Sequence, residues 1–212
     1  MRELLLHTFV TFCSDGGPGS LSQHGRWFPD LPNRKRIIFN RLMLRRRDRV
    51  VGVGNSVRRA LIDNEGIRPD RVGVVYNGIS IRNFAPTIHC SITRADVRAE
   101  IGVAEDDFVL LQVARLDALK DHITAIRTLE RVVRSCRNVR LVLAGEGPEL
   151  PRIREEIQKR DLQQFVRLLG LRRDVAQLLH AADLFLLTSI SEGIPLTAIE
   201  AMSAQLPVVA TC

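Results

Sequence analysis

From residue 108 onward the chain alternates two patterns. Nearly continuous apolar runs of strand length occupy residues 108–114 (FVLLQVA), 139–144 (VRLVLA), 165–169, 184–188 and 207–211. Between them apolar residues recur at helical spacing: Ile123, Ile126, Leu129, Val132, Val133 and Cys136; Leu150, Ile153 and Ile157; Val175, Leu178, Leu179 and Ala182. A last helix is predicted over residues 195–204. A strand covered on both faces reads as an unbroken apolar run. Strands alternating with helices of ~10–15 residues predict βαβ units around a parallel sheet. Right-handed crossovers then give a doubly wound, Rossmann-like layer.

The first part of the chain is less regular. Residues 1–13 read as a buried strand and Ser14-Asp15-Gly16-Gly17-Pro18-Gly19-Ser20 as a loop. Residues 50–54 predict a strand, followed by a helix capped by Ser56 with Val57, Ala60 and Leu61 on one side. A strand over 72–76 is predicted to end at an Asn77-Gly78 turn. This divides the chain into a partial α/β domain (1–85), a connector with a short helix around 94–101 (86–107), and a Rossmann-like domain (108–212). A parallel strand normally leads into another crossover, so a chain ending at a strand is expected to be incomplete there, as it is at its start.

Composition narrows the field. The 212 residues are 45% hydrophobic and 26% charged, which suits a globular protein and excludes a disordered, collagen-like or disulfide-dense chain. No run approaches the roughly 20 apolar residues of a membrane span. Glu3, His7 and the lack of a small-residue cleavage site argue against a signal peptide in residues 1–13. Cys13, Cys90, Cys136 and Cys212 form no C-x-x-C pair, so no zinc knuckle or thioredoxin-type site is indicated, and a cytoplasmic location is expected. The formal net charge of +7 favours anionic partners. Much of the excess is local: Arg34, Lys35, Arg36, Arg41, Arg45, Arg46, Arg47 and Arg49 face a single acid, Asp48. Arg34, Ile37, Ile38, Arg41, Leu42, Arg45 and Arg49 suggest an amphipathic helix. It could meet anionic lipid as a peripheral membrane contact, bind nucleic acid, or pack as a solvated helix on its own domain. With 5% aromatic residues and no recognisable module, nucleic acid is not expected as a partner.

Ligands of open α/β sheets sit beyond the carboxyl ends of the strands, so the exit loops hold the candidate chemistry. The first exit places Arg115 and Lys120 five residues apart with Asp117 and Asp121. Arg can grip a diphosphate with a planar fork and Lys as a point charge, although two solvated cations would read the same way. The second is Gly145-Glu146-Gly147-Pro148, where glycines admit a close backbone approach or simply make a tight turn. The fourth is Ser189-Ile190-Ser191-Glu192-Gly193-Ile194-Pro195-Leu196-Thr197-Ala198-Ile199-Glu200. It sets two carboxylates around a helix N-terminus, whose free amides and positive dipole end suit phosphate oxygens. The carboxylates suit vicinal hydroxyls, as on a sugar or ribose. Glu192 could also merely complement the helix dipole.

The stretch from about Arg115 to Thr211 resembles the donor domain of GT-B glycosyltransferases of the retaining glycosyltransferase family 4. The resemblance is carried by Glu192 and Glu200 with seven residues between them, the Arg115/Lys120 pair, Ala144-Gly145-Glu146-Gly147-Pro148, Gly170-Leu171-Arg172-Arg173-Asp174-Val175 and Ala181-Ala182-Asp183-Leu184. Val74-Val75-Tyr76-Asn77-Gly78-Ile79 and Phe84 resemble the segment joining that family's two domains. The resemblance implies a GT-B-like α/β fold and transfer of a sugar, with retention, from a UDP-linked donor to a hydroxyl of a glycan or lipid-linked acceptor. It implies no metal and no other cofactor. Arg115 and Lys120 would hold the diphosphate and Glu192 the donor sugar. Gly193, Ile194, Leu196 and Thr197 would present backbone amides, Gly145, Glu146 and Gly147 would border the donor, and Glu200 would take the ribose. A GT-B nucleotide-sugar epimerase and a non-catalytic nucleotide-sugar binding fragment are the alternatives. Two positions depart from the family: Pro195 stands where many relatives have Gly and removes one amide, and Cys13 stands where an acceptor-side histidine is expected. The family's glycine-rich loop in the acceptor domain has no counterpart.

Overall fold

The computed structural model describes residues 20–23, 31–32, 34–44, 48–84 and 92–211. The predicted strand at 1–13, the Gly/Ser loop up to Gly19, Arg45, Arg46, Arg47 and Pro86, and Cys13, Cys90 and Cys212 lie outside them. The chain forms two compact units. The first runs to Gly78 and includes Glu192–Ile194; the second holds Ile79–Ser191 and the chain from Pro195 on.

The first unit is a small parallel sheet with two helices: β1 (Ser20–Gln23), α1 (Arg34–Met43), β2 (Arg49–Gly52), α2 (Asn55–Asp63) and β3 (Val72–Val74). The strand order is β1-β2-β3, with Val50 paired to Leu21 and to Val72. Its core is Val50, Val53, Val57, Leu61, Ile67 and Val72. Three expectations change here. Gly54, not Ser56, is the N-cap of α2, and Ser56 lies inside the first turn. No turn forms at Asn77-Gly78; after β3 the chain runs on without regular structure, its first amide (Val75) bonded to the Gly52 carbonyl at 3.0 Å. The basic helix stops at Met43, and Arg49 opens β2 instead of extending the helical face, because the alternating Val50 and Gly52 are needed in the sheet.

The second unit contains α3 (Arg94–Glu100), β4 (Phe108–Val113), α4 (His122–Val133), β5 (Val139–Ala144), α5 (Leu150–Lys159), β6 (Val166–Gly170), α6 (Val175–Ala181), β7 (Leu184–Leu187), α7 (Leu196–Ser203) and β8 (Val208–Ala210). The five strands are all parallel in the order β6-β5-β4-β7-β8. Strand alternation divides the core. Val109, Leu111, Val142, Ala144 and Phe185 meet α3, α6 and α7. Leu110, Leu141, Leu143 and Leu186 meet α4 and α5 on the opposite face. The sheet is thus doubly wound, and its continuous apolar runs follow from burial on both faces. An ion network around the buried Arg98 fixes α3: the half-buried Asp183 accepts from Arg98 (2.7 Å), the exposed Arg94 (2.5 Å) and the Val109 amide (2.7 Å). Among the described residues no helix is long and apolar enough to cross a membrane.

Candidate functional site

The carboxyl ends of β4, β5, β6 and β7 open on one rim of the sheet, and their exit loops are laced together there. The Ala114 amide bonds to the Ala144 carbonyl (3.1 Å), Leu116 to Glu146 (2.9 Å), Glu149 to Leu116 (2.9 Å) and Gly145 to Gly170 (2.7 Å). This lacing explains the glycines. A Cβ on Gly145 would lie 2.0 Å from the Ala114 carbonyl oxygen, and one on Gly147 2.2 Å from that of Leu116. Gly145 also has φ +146, a conformation that L side chains rarely adopt. The close approach that requires glycine here is between two exit loops of this chain.

The turn carrying Lys120 is held just as firmly. Asp117 accepts from the amides of Leu119 (3.1 Å) and Lys120 (3.2 Å), and Asp121, itself left-handed at φ 41, caps α4 by accepting from Thr124. The Lys120 carbonyl accepts from the Gln112 side-chain amide (3.2 Å) and the Thr188 hydroxyl (3.0 Å). Gln112 also donates to Thr188 (3.1 Å), and the Ile190 amide bonds to the Leu119 carbonyl (2.8 Å). The exit of β7 is thereby tied to the exit of β4. Gln112 Oε1, Ser189 Oγ and both ring nitrogens of His122 are buried at this rim without a hydrogen-bond partner among the described residues. Burial pushes His122 down to about 4, so the ring is neutral at physiological pH.

A cleft of about 420 Å³ opens over the rim, bordered by Arg115, Gly145, Glu146, Leu171, Arg172 and Thr197. Arg115 is exposed at its mouth, as is Leu171. Arg172 is neutralised by Asp174 (2.5 and 2.8 Å) and Glu100 (2.7 Å), and the pairing holds the Asp174 carboxyl below its ordinary range. In α7 the first helical acceptor is the Pro195 carbonyl, which takes Ala198 and Ile199. The amides of Leu196 and Thr197 precede that bond and stand at the positive end of the helix.

Four of the predicted residues therefore share one cleft: Arg115, Gly145, Glu146 and Thr197. Lys120, Gly147 and Leu196 lie on the same exit loops without bordering it. Glu200 faces a different cavity of about 670 Å³, formed by the 83–84 segment, α3, α6 and α7, with Phe84, Arg94, Gln177 and His180. Thr197 and Glu200 are one turn apart on α7, as Arg172 and Arg173 are adjacent in the chain, so each pair has one member on each cavity. Burial raises the Glu200 carboxyl above its ordinary range. Glu192, Gly193 and Ile194 are half-buried on the loop between β7 and α7 and group with the first unit. Sequence reasoning missed Gln112 and Thr188. The signal for Gln112 was present: it is the lone polar residue in an apolar strand, and a buried amide needs partners.

The sequence model of the family described as "Glycosyl transferases group 1" matches residues 93–212, and that of "Glycosyltransferase Family 4" matches residues 6–83. The chain belongs to the group 1 glycosyl transferases. Among curated relatives, the putative glycosyltransferase EpsF of Bacillus subtilis (strain 168) is 29% identical over 171 residues, covering 81% of this chain and 44% of its own. The D-inositol 3-phosphate glycosyltransferase of Kineococcus radiotolerans is 32% identical over 186 residues, covering 82% of this chain and 42% of its own. The chain thus spans less than half the length of these relatives. Among solved structures, Anabaena Alr3699/HepE in complex with UDP is 26% identical with a TM-score of 0.78, over 91% of this chain and 53% of that one. The same protein with UDP and glucose gives 28% and 0.69, over 76% of this chain and 44% of that one. The architecture is that of GT-B glycosyltransferases, as the sequence led one to expect.

Proposed function

We propose that this glycosyltransferase moves a sugar from a UDP-linked donor to a hydroxyl of a glycan or lipid-linked acceptor, with retention of configuration and without a metal ion. The observation that carries the reading is the cleft at the carboxyl rim of β4 and β5, where Arg115 meets glycine-lined backbone and the N-terminus of α7. The solved Anabaena relative named above was crystallised with UDP, which supports the choice of donor.

The chemistry follows from the charges. Breaking a glycosyl–phosphate bond builds negative charge on the leaving diphosphate and positive charge on the sugar. The Lys120 turn and the Leu196 and Thr197 amides are held in place before the reaction, so they stabilise the leaving group with little reorganisation, and the exposed Arg115 adds its charge at the mouth of the cleft. That is the task a divalent cation performs elsewhere. Glu192, on the loop that leads into α7, hydrogen-bonds donor-sugar hydroxyls, and Glu200, which borders the neighbouring cavity one turn along α7 from Thr197 of the cleft, reaches the ribose of a donor that extends past the cleft. The scattered cysteines, with Cys136 a free thiol, accord with work in the cytoplasm.

Calorimetric titration with UDP in the presence of EDTA tests the donor site. Binding that weakens at least tenfold in Lys120→Ala and in Arg115→Ala is the expected result. No binding, or binding indifferent to both substitutions, overturns the assignment. Retention is read from the anomeric coupling constant of the product; inversion would exclude it.

A further inference from the structure

The first unit carries a surface that the transfer reaction does not use. Helix α1 (RKRIIFNRLM) contains no acidic residue and buries none of its side chains fully. It does have an inner side. Ile37 packs over Gly66, where a Cβ would lie 2.6 Å from it. Asn40 donates to the Glu65 carbonyl (3.1 Å) and carboxylate (3.0 Å), and Arg36 pairs with the same carboxylate at 3.5 Å. Leu44, just past the helix, reaches the core.

With 3.6 residues per turn, fixing positions 36, 37 and 40 inward turns Arg34, Lys35, Ile38, Arg41 and Leu42 outward, within an arc of about 120°. All five are exposed. Ile38 is 59% exposed and Leu42 79%, and Leu31 and Met43 flank them at 66% and 63%. Three cations thus frame an apolar stripe that is open to solvent.

From this we infer that the outer face of α1 is a docking surface for an anionic lipid bilayer. Such a helix lies in the membrane interface with its apolar side chains among the acyl chains and its cations at the headgroups. Arg and Lys stems reach from the interface while their charges stay at the phosphates. The composition of the arc selects this occupant. A nucleic acid would use the cations and leave Ile38 and Leu42, at the middle of the arc, in water or against phosphate. A second copy of the chain meeting the same face would set cation against cation. An anionic bilayer is complementary to both halves of the stripe. The inference is independent of the donor cleft, whose lining residues all lie in the other unit.

Flotation with lipid vesicles tests it, using phosphatidylcholine alone and a 70:30 mixture with phosphatidylglycerol (an arbitrary ~30% anionic fraction). The chain is expected to float with the anionic vesicles at low salt, to prefer them more than about tenfold, and to release as salt rises. Ile38→Glu/Leu42→Glu and, separately, Arg34→Glu/Arg41→Glu should each abolish flotation while circular dichroism and UDP affinity are unchanged. Equal flotation with neutral vesicles, or Ile38→Glu/Leu42→Glu floating like the parent chain, overturns the proposal. So does retention on tRNA or duplex DNA, or self-association, that the same variants abolish while no preparation floats. A preparation that floats without binding UDP would keep this surface and sink the donor reading instead.

Discussion

Arg115 and Lys120 differ in how they are presented, and that difference sets their expected roles. Arg115 is exposed at the mouth of the cleft, whereas Lys120 sits in a turn whose backbone is tied to Asp117, Gln112, Thr188 and Ile190. A preorganised cation contributes most where charge develops, so Lys120→Ala should lower kcat about 10²–10³-fold, in line with other removed transition-state donors. Single-turnover kinetics with the donor sugar would read this. Glu200 adds a pH dependence of known sign. Its carboxyl is held above the ordinary range by burial, and only the ionised form accepts hydrogen bonds from both ribose hydroxyls. UDP affinity should therefore be full at neutral pH and fall on acidification, starting above 4.5, the ordinary value for glutamate. Glu200→Gln should bind more weakly at pH 7 and show a flatter profile. Affinity that stays level in the parent chain down to pH 4.5 would remove Glu200 from the ribose site.

At the level of elements, the exit loops are the functional unit, and they were only half legible in the sequence. The five strands of the second unit could be read because Val109 to Leu111, Leu141 to Ala144 and Phe185 to Leu186 are buried on alternate faces, which forces unbroken apolar runs. The edges were harder. Strand β1 (Ser20–Gln23) has a mixed composition, and its pairing to β2 comes from the tertiary fold. Asn77-Gly78 has the composition of a turn, yet the chain there joins no second strand that would need one. The glycines of the second exit suggested ligand contact, and the structure gives a backbone reason for them. Gly147→Ala should therefore destabilise the fold at the upper end of the ~1–3 kcal/mol of overpacking, because the carbonyl it strikes belongs to buried Leu116. Urea unfolding measures this. Gln112→Leu should act in the opposite direction on stability. It removes a buried amide whose oxygen has no partner, so the urea midpoint should hold or rise. The Lys120 turn loses one of its ties, so the donor KM should still rise severalfold. A variant with unchanged KM would mean that Thr188 alone positions the turn.

On the scale of the whole molecule, a basic chain meets acid with both its surface and its interior. The net charge of +7 grows as carboxylates protonate, which weakens any compact state through self-repulsion. His122 adds a term with a definite window. It opens α4, is 2% exposed, and both ring nitrogens lack partners among the described residues. Burial lowers it from 6.5 to about 4, against Asp117, Asp121 and Glu149, which favour its protonation, and with Lys120, which opposes it. Between those two values the unfolded chain holds the proton and the folded chain does not. Stability is then complete above pH 6.5 and is lost as the pH falls toward 4, at up to about 1.4 kcal/mol per unit for this one group. Because α4 packs along the face lined by Leu110, Leu141 and Leu143, the loss is felt by the sheet as a whole. Surface repulsion would produce a similar trend, so the parent chain alone cannot separate them. His122→Leu can: it keeps the surface charge at neutral pH and has no proton to take up. Its urea midpoint should fall less steeply than that of the parent between pH 6.5 and 4. Parallel profiles would assign the acid response to surface charge and leave His122 without a part in it.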